Sequence, residues 1–176
     1  RIVGWNVYEQ ESGELAKELF GEIAGSLNVK GVTLHSDNGS PMISSCFRLT
    51  LERLGVIASF SRPNTSNDNA FSESLFKTIK YSAGYPKSFK SIADARVWME
   101  RFVRSYNYDH RHSGIGYVTP MQRLSGEDVE IFSRRNRTFE EARNKNPERW
   151  SGKAKLWKDD HVVFLKKGNY VRNLAS

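Results

Sequence analysis

Cysteine is almost missing from this chain: Cys46 stands alone among 176 residues, which excludes a disulfide framework and any Cys-rich zinc module. No apolar run approaches the roughly 20 residues that span a bilayer, so a membrane-spanning helix is excluded. Repeats and low-complexity tracts are lacking, as are a signal peptide and an initial methionine. A reducing compartment is therefore expected, and the chain reads as part of something longer. What remains is ordinary for a soluble domain. Hydrophobic residues make up 38% and charged residues 27%, enough for one domain, or one domain plus a tail, with a sizeable core.

Positive charge is in excess, and its position matters more than its sum. The formal net charge is +7. Residues 1–130 balance 15 Lys/Arg against 15 Asp/Glu, whereas residues 131–176 hold 12 Lys/Arg and 5 Asp/Glu. A neutral body with a basic tail fits a polyanionic partner, or simply a solvated terminus. Trp150, Trp157, Phe164 and Tyr170 are interleaved with those cations. Aromatics beside cations stack on nucleic-acid bases, and they serve equally as the core of a small folded tail.

Alternating patterns predict an α/β architecture. Ile2–Tyr8, Gly31–Ser36 and Val56–Phe60 read as strands, rich in β-branched and aromatic residues. Between the first two, Leu15, Leu19, Phe20, Ile23 and Leu27 make Ser12–Leu27 an amphipathic helix. Phe47, Leu51 and Leu54 mark another, stopped by Gly55. Asp68 or Asn69 is placed to cap a helix over Ala70–Lys80. Ser91 and Asp94 form a capping box for a helix reaching Tyr108, whose apolar face holds Ile92, Val97, Trp98, Phe102 and Val103. Thr119-Pro120 starts a short helix to Leu124. A linker near Ser125–Glu130, a capping box at Thr138 and Glu141, and a late strand at His161–Leu165 complete the reading.

Two carboxylates stand out. Asp37 lies just beyond a predicted strand, where open α/β sheets place ligands, although Asp-Asn-Gly is also a routine turn sequence. Glu73 shares a helix face with Lys77 and Lys80, opposite Phe71, Leu75, Phe76 and Ile79; a plain surface Glu–Lys pair is the simpler account. Taken together, an acid at a strand end and another early in a later helix suit divalent ions, because Mg²⁺ takes one or two carboxylates plus phosphate oxygens. Two such ions clamp the oxygens of a phosphoryl transfer.

The segment H-S-D-N-G (35–39) followed by S-R-P-N-T-S-N-D-N-A-F-S-E-S (61–74) resembles the D-D-E transposases of bacterial insertion sequences, relatives of retroviral integrases. Thirty-five residues separate Asp37 from Glu73, the family's spacing for its second and third acids. Y-N-Y-D-H-R-H-S-G-I-G-Y-V-T-P (106–120) resembles the end of the transposase core, and N-P-E-R-W-S-G (146–152) its tail. The likeness covers essentially the whole chain.

That resemblance implies a ribonuclease H-like mixed sheet flanked by helices, truncated at its N-terminus, over residues 1–126, with a basic DNA-binding extension over 127–176. It implies Mg²⁺ or Mn²⁺ held by Asp37 and Glu73, and transfer of a DNA 3′ hydroxyl to target DNA. Arg62, Asn69, Lys77 and Lys80 are expected to meet DNA beside that site, as are Arg111, Arg134, Arg135 and Arg137 further on. The Arg62–Asn67 loop is expected to move. A homo-oligomer acting on DNA in the bacterial cytoplasm, at the nucleoid, is expected. The family's first Asp and first two strands precede a segment like R-I-V-G-W, so this chain, opening at Arg1, is expected to lack them and to be inactive alone. A non-catalytic DNA-binding module and a structure-specific nuclease on the same fold are the alternatives.

Other residues invite weaker readings. His110 and His112 form an H-x-H without the carboxylate or thiolate set of a zinc site, so turn or DNA-backbone contact is expected. His35 is expected to pack or hydrogen-bond, and Cys46 to be an inert core residue. Ser36, Ser72 and Ser74 lack the G-x-S-x-G setting of a hydrolase nucleophile.

Overall fold

A computed structural model describes residues 1–63, 65–152 and 156–157. These residues form two compact units, Ile2–Arg104 and Ser105 onward.

In the first unit, Ser12 caps α1 (Gly13–Ser26) by accepting the Leu15 amide on its hydroxyl. Strand β1 (Thr33–Ser36) leads through α2 (Ser40–Ile43) and α3 (Ser45–Arg53) to β2 (Ile57–Phe60). The two strands pair in parallel, from Thr33 opposite Ile57 to Ser36 opposite Phe60. A parallel pair needs a crossover, and α2–α3 supplies it. The end of α3 shows how sequence sets geometry. Gly55 takes a φ of 69°, its amide bonds the Glu52 carbonyl, and the Val56 amide bonds the Leu51 carbonyl. This pairing satisfies carbonyls that the helix leaves open, and it brings Val56 onto Leu51. Both join Phe20 and Phe47 in the core, with Ala16, Leu34 and Met42 packed around them.

The expected strand Ile2–Tyr8 does not form. The segment lies over helices instead: Gly4 sits so close to Ile23 of α1 that a Cβ would collide, and Arg96 donates twice to the Val7 carbonyl. That carbonyl is thereby taken by a side chain rather than a ladder.

Helix α4 (Ala70–Lys80) has the expected bounds but not the expected cap. Asn69 occupies the cap position without a side-chain bond to the helix, and Asp68 turns to Arg62. The apolar face of α4 is open, with Phe71 and Phe76 each 60% exposed. In α5 (Ile92–Tyr108) the Ser91 hydroxyl accepts the Asp94 amide as expected. Trp98 organises this helix: it stacks on Phe102, meets Tyr85 and Phe89 edge-on, and donates to the Gly84 carbonyl.

The second unit is built around Val118, which is fully buried. Thr119 and Gln122 form a reciprocal capping box for α6 (Pro120–Ser125). Gly126, at φ 81°, then turns the chain into α7 (Glu127–Lys145), across which Arg123 pairs with buried Asp128. Thr138 starts no helix. It lies inside α7, where its hydroxyl bonds the Arg134 carbonyl one turn back, the usual outlet for a threonine within a helix. The expected strand His161–Leu165, with Phe164 and Tyr170, lies outside the described residues.

Candidate active site and nucleic-acid interface

Asp37 follows the last residue of β1, and its carboxylate Oδ1 accepts the Gly39 amide at 3.0 Å. This is the local turn expected of Asp-Asn-Gly, and it leaves Oδ2 directed elsewhere. Asn38 donates to the Ser61 carbonyl at 2.8 Å, so the loop after β1 is pinned to the loop after β2.

Glu73 lies in the first turn of α4, with Lys77 and Lys80 in the last. All three are exposed. Among the described residues no ion pair joins Glu73 to either lysine.

Between the two acids, Arg62 and Asp68 form a bidentate clasp. Arg62 Nε and Nη2 donate to the two carboxylate oxygens at 2.8 and 3.0 Å, and the Arg62 amide adds a third bond at 3.1 Å. The bond to Asp68 raises the pKa of this guanidinium further. Arg62 is thus held by protein, not presented freely. The other end of Asp68 is held too, because His35 Nε2 lies 3.0 Å from its backbone carbonyl while His35 Nδ1 lies 3.0 Å from Ser59 Oγ. Sequence reading assigns hydrogen bonding to His35 and a cap to Asp68, and misses that they meet.

Asp37, Asn69, Ser72 and Phe76 line one groove of about 550 Å³ together with Tyr8, Glu11, Leu15, Leu19, His35 and Met42. Glu73 is not among its lining residues, though its neighbour Ser72 is. The Asn69 side-chain oxygen is buried without a partner among the described residues.

Oxygen donors of this kind suit Mg²⁺ or Mn²⁺ rather than softer metals. Among the described residues no group of three or more His, Cys, Asp or Glu gathers into a metal cage. Asp37 and Glu73 supply two carboxylates of that kind, one after β1 and one in the first turn of α4.

In the second unit, the nominated arginines divide. Arg111 and Arg134 lie close enough to Arg135 to repel it, and Arg135 itself is committed internally. Its Nη1 and Nη2 donate to the Gly116 and Tyr117 carbonyls at 2.7 and 2.9 Å, and its guanidinium lies 5.1 Å from the Trp157 ring centroid. Burial, then repulsion from Arg111 and Arg134, lowers its pKa. These three guanidiniums therefore share one positive patch. Trp157 stacks on Phe132, and Trp150 meets Phe139 edge-on, so both tryptophans serve packing. His110 and His112 cluster with Tyr106, their own rings 4.4 Å apart.

Residues 54–120 match the family model described as the integrase core domain. That stretch contains Glu73, Lys77, Lys80 and the 106–120 motif, and it leaves Asp37 outside. The chain is 31% identical over 122 residues to the transposase for insertion sequence element IS904 of Lactococcus lactis, covering 68% of this chain and 48% of that protein. It is 26% identical over 121 residues to the transposase for IS629 of Shigella sonnei, covering 69% and 41%. An IS600 31 kDa protein of Shigella sonnei is 32% identical over 124 residues, covering 68% and 44%. An integrase core is thus the class. The chain belongs to the D-D-E transposase family, and it spans less than half the length of these relatives.

Proposed function

We propose that this chain is part of a transposase that cleaves DNA ends and joins a 3′ hydroxyl to target DNA, on a ribonuclease H-like mixed sheet of which β1 and β2 are two strands. The observation that carries the reading is the placement of Asp37 at the C-terminal end of β1 and Glu73 in the first turn of α4, with both lysines on the same helix. Bound divalent ions would supply charge that stabilises the attacking and leaving oxygens. Asp37 and Glu73 would hold them. Lys77 and Lys80, with Asn69 beside them, would hold DNA phosphates and so orient the strand; Arg62 would join them once released by Asp68.

Residues 127–176 would serve as a basic extension of a core over 1–126. Within it Arg134 and Arg137, and Arg111 before it, would neutralise phosphates, with Arg135 holding the surface they stand on. A homo-oligomer working on DNA in the bacterial cytoplasm completes the proposal. Strand transfer from labelled element-end DNA in Mn²⁺ tests it, using the full-length transposase that carries this sequence. The unmodified protein should join DNA and its Glu73→Gln variant should not; joining by the variant would show the wrong acid has been assigned.

A further inference from the structure

We infer that His35 is a positioning residue: a strut that fixes the start of α4 against the end of β1, and so sets where Glu73 stands relative to Asp37. The inference rests on the proposed pairing of these acids and names the residue that keeps them in register.

The geometry is specific. His35 lies on β1 two residues before Asp37, and alternation puts positions i and i+2 on one side of a strand. Its ring reaches 33 residues along the chain to the Asp68 carbonyl, and it also meets Ser59 of β2. A carbonyl only accepts, so the bond to Asp68 needs the proton on Nε2; the Ser61 hydroxyl, 3.5 Å from the same nitrogen, is the longer contact. Nδ1 is then an acceptor, and the Ser59 hydroxyl is its donor. Both ring nitrogens are thereby assigned, and the ring cannot turn over without losing both bonds.

Asp68 passes the constraint on. Its carbonyl is held by His35 and its carboxylate by Arg62, and its residue lies in the single turn Ser66–Asn69 that runs directly into α4. Glu73 follows five residues later. Helix α4 has no buried residue, and its apolar face is open. Packing of half-buried Leu75 and Ile79 holds it in part, and polar contacts at its N-terminal end add to its placement. Hydrogen-bond partners of a metal ligand change metal affinity about 10- to 100-fold when removed; His35 acts one link further out, through Asp68, so the low end of that range is expected.

Glutamine and asparagine separate this role from mere bulk. A glutamine amide nitrogen falls near the place of Nε2 and can still donate to the Asp68 carbonyl; an asparagine nitrogen falls near Nδ1 and cannot. The experiment uses the chain of 176 residues, labelled with ¹⁵N at pH 8, with MnCl₂ as the probe. In the unmodified chain His35 should show the single Nε2–H tautomer, and Mn²⁺ should broaden the amides of residues 37–39 and 72–74 with one midpoint. His35→Ala should raise that midpoint about 10-fold and weaken broadening at 72–74 more than at 37–39. His35→Gln should stay within about threefold of the unmodified chain, and His35→Asn should follow the alanine variant. Unchanged amide exchange in α1 and α3 would show that each variant is folded. If Mn²⁺ broadens neither set in the unmodified chain, the metal reading fails, and the strut is judged by exchange of amides 74–78. Those should speed about 10-fold in His35→Ala and recover in His35→Gln. A mixture of tautomers, an alanine variant that changes neither broadening nor exchange, or a glutamine variant as impaired as alanine would each overturn the inference.

Discussion

Arg135 lays its guanidinium over the indole of Trp157, while its neighbour Asn136 takes both backbone polar groups of that tryptophan, donating to the carbonyl at 2.9 Å and accepting the amide at 2.8 Å. One turn of α7 thus holds the Trp157 segment from two sides. Arg135 also anchors Gly116 and Tyr117, successive residues with positive φ. Removing these bonds and the cation–π interaction in Arg135→Ala should cost about 1–3 kcal/mol, read by urea unfolding. Lysine should rescue little, since it cannot fork to two carbonyls while lying flat on a ring. Arg134→Ala should leave stability within about 0.5 kcal/mol.

The same neighbours should separate in DNA binding. Every cation that neutralises a phosphate of duplex DNA adds about 0.9 to the steepness of log K against log salt. Replacing Lys77 and Lys80 together by alanine should flatten the slope by roughly 1.8, and Arg134 with Arg137 by a similar amount. Fluorescence anisotropy over a salt series measures both. A slope unchanged by either pair would remove those residues from the interface.

Arg123 and Asp128 bracket the Gly126 turn, and Asp128 is only 2% exposed. Removing one member strands a buried charge. Arg123→Ala should therefore destabilise the second unit by about 3–5 kcal/mol, and adding Asp128→Asn should recover part of that loss. Thermal melts of the single and double variants give the comparison. Equal melting of the unmodified chain and both variants would mean that the pair contributes nothing.

His112 should make the second unit acid-sensitive. Burial, with a further contribution from nearby His110, lowers its pKa below the usual 6.5. The folded form then binds fewer protons than the unfolded form, so stability is complete above about pH 6.5 and falls as pH drops through the lowered value. Its Nε2 is buried without a partner among the described residues, which suits the neutral ring. Urea midpoints between pH 7.5 and 5 should decline, and His112→Gln should reduce the decline. A pH-independent midpoint would count against the burial.

Local signals carried most of the architecture. Ser91 caps its helix where its spacing to Asp94 implies, and Thr119 caps the helix that Thr119-Pro120 predicts, because these bonds span only three residues. Gly55 ends α3 for the same local reason. Ile2–Tyr8 shows where such reading fails: its composition suits a strand, but pairing depends on which edge is near, and Arg96, 89 residues away, takes its carbonyl. Thr138 and Glu141 have capping-box spacing, yet nothing breaks the helix ahead of them. At the proposed site, Asp37 and Glu73 are singled out by motif and spacing. The link from His35 to Asp68 was not, since no periodicity reports a contact across 33 residues. Trp157 reads in the sequence as a base-stacking residue or a core residue, and only Phe132 and Asn136 decide in favour of the core.

The reach of Arg96 to Val7 also sets a clock for synthesis. Contacts of the second unit close short loops: Arg123 to Asp128 spans 5 residues, Arg135 to Gly116 spans 19, and Asn136 to Trp157 spans 21. The Val7 carbonyl must wait for a side chain made 89 residues later. At about 5–20 residues per second, that delay is roughly 4–18 s. Throughout it the Val7 carbonyl lacks this partner, whereas Gly4 meets Ile23 only 19 residues on, so the two ends of one short segment are secured at very different times.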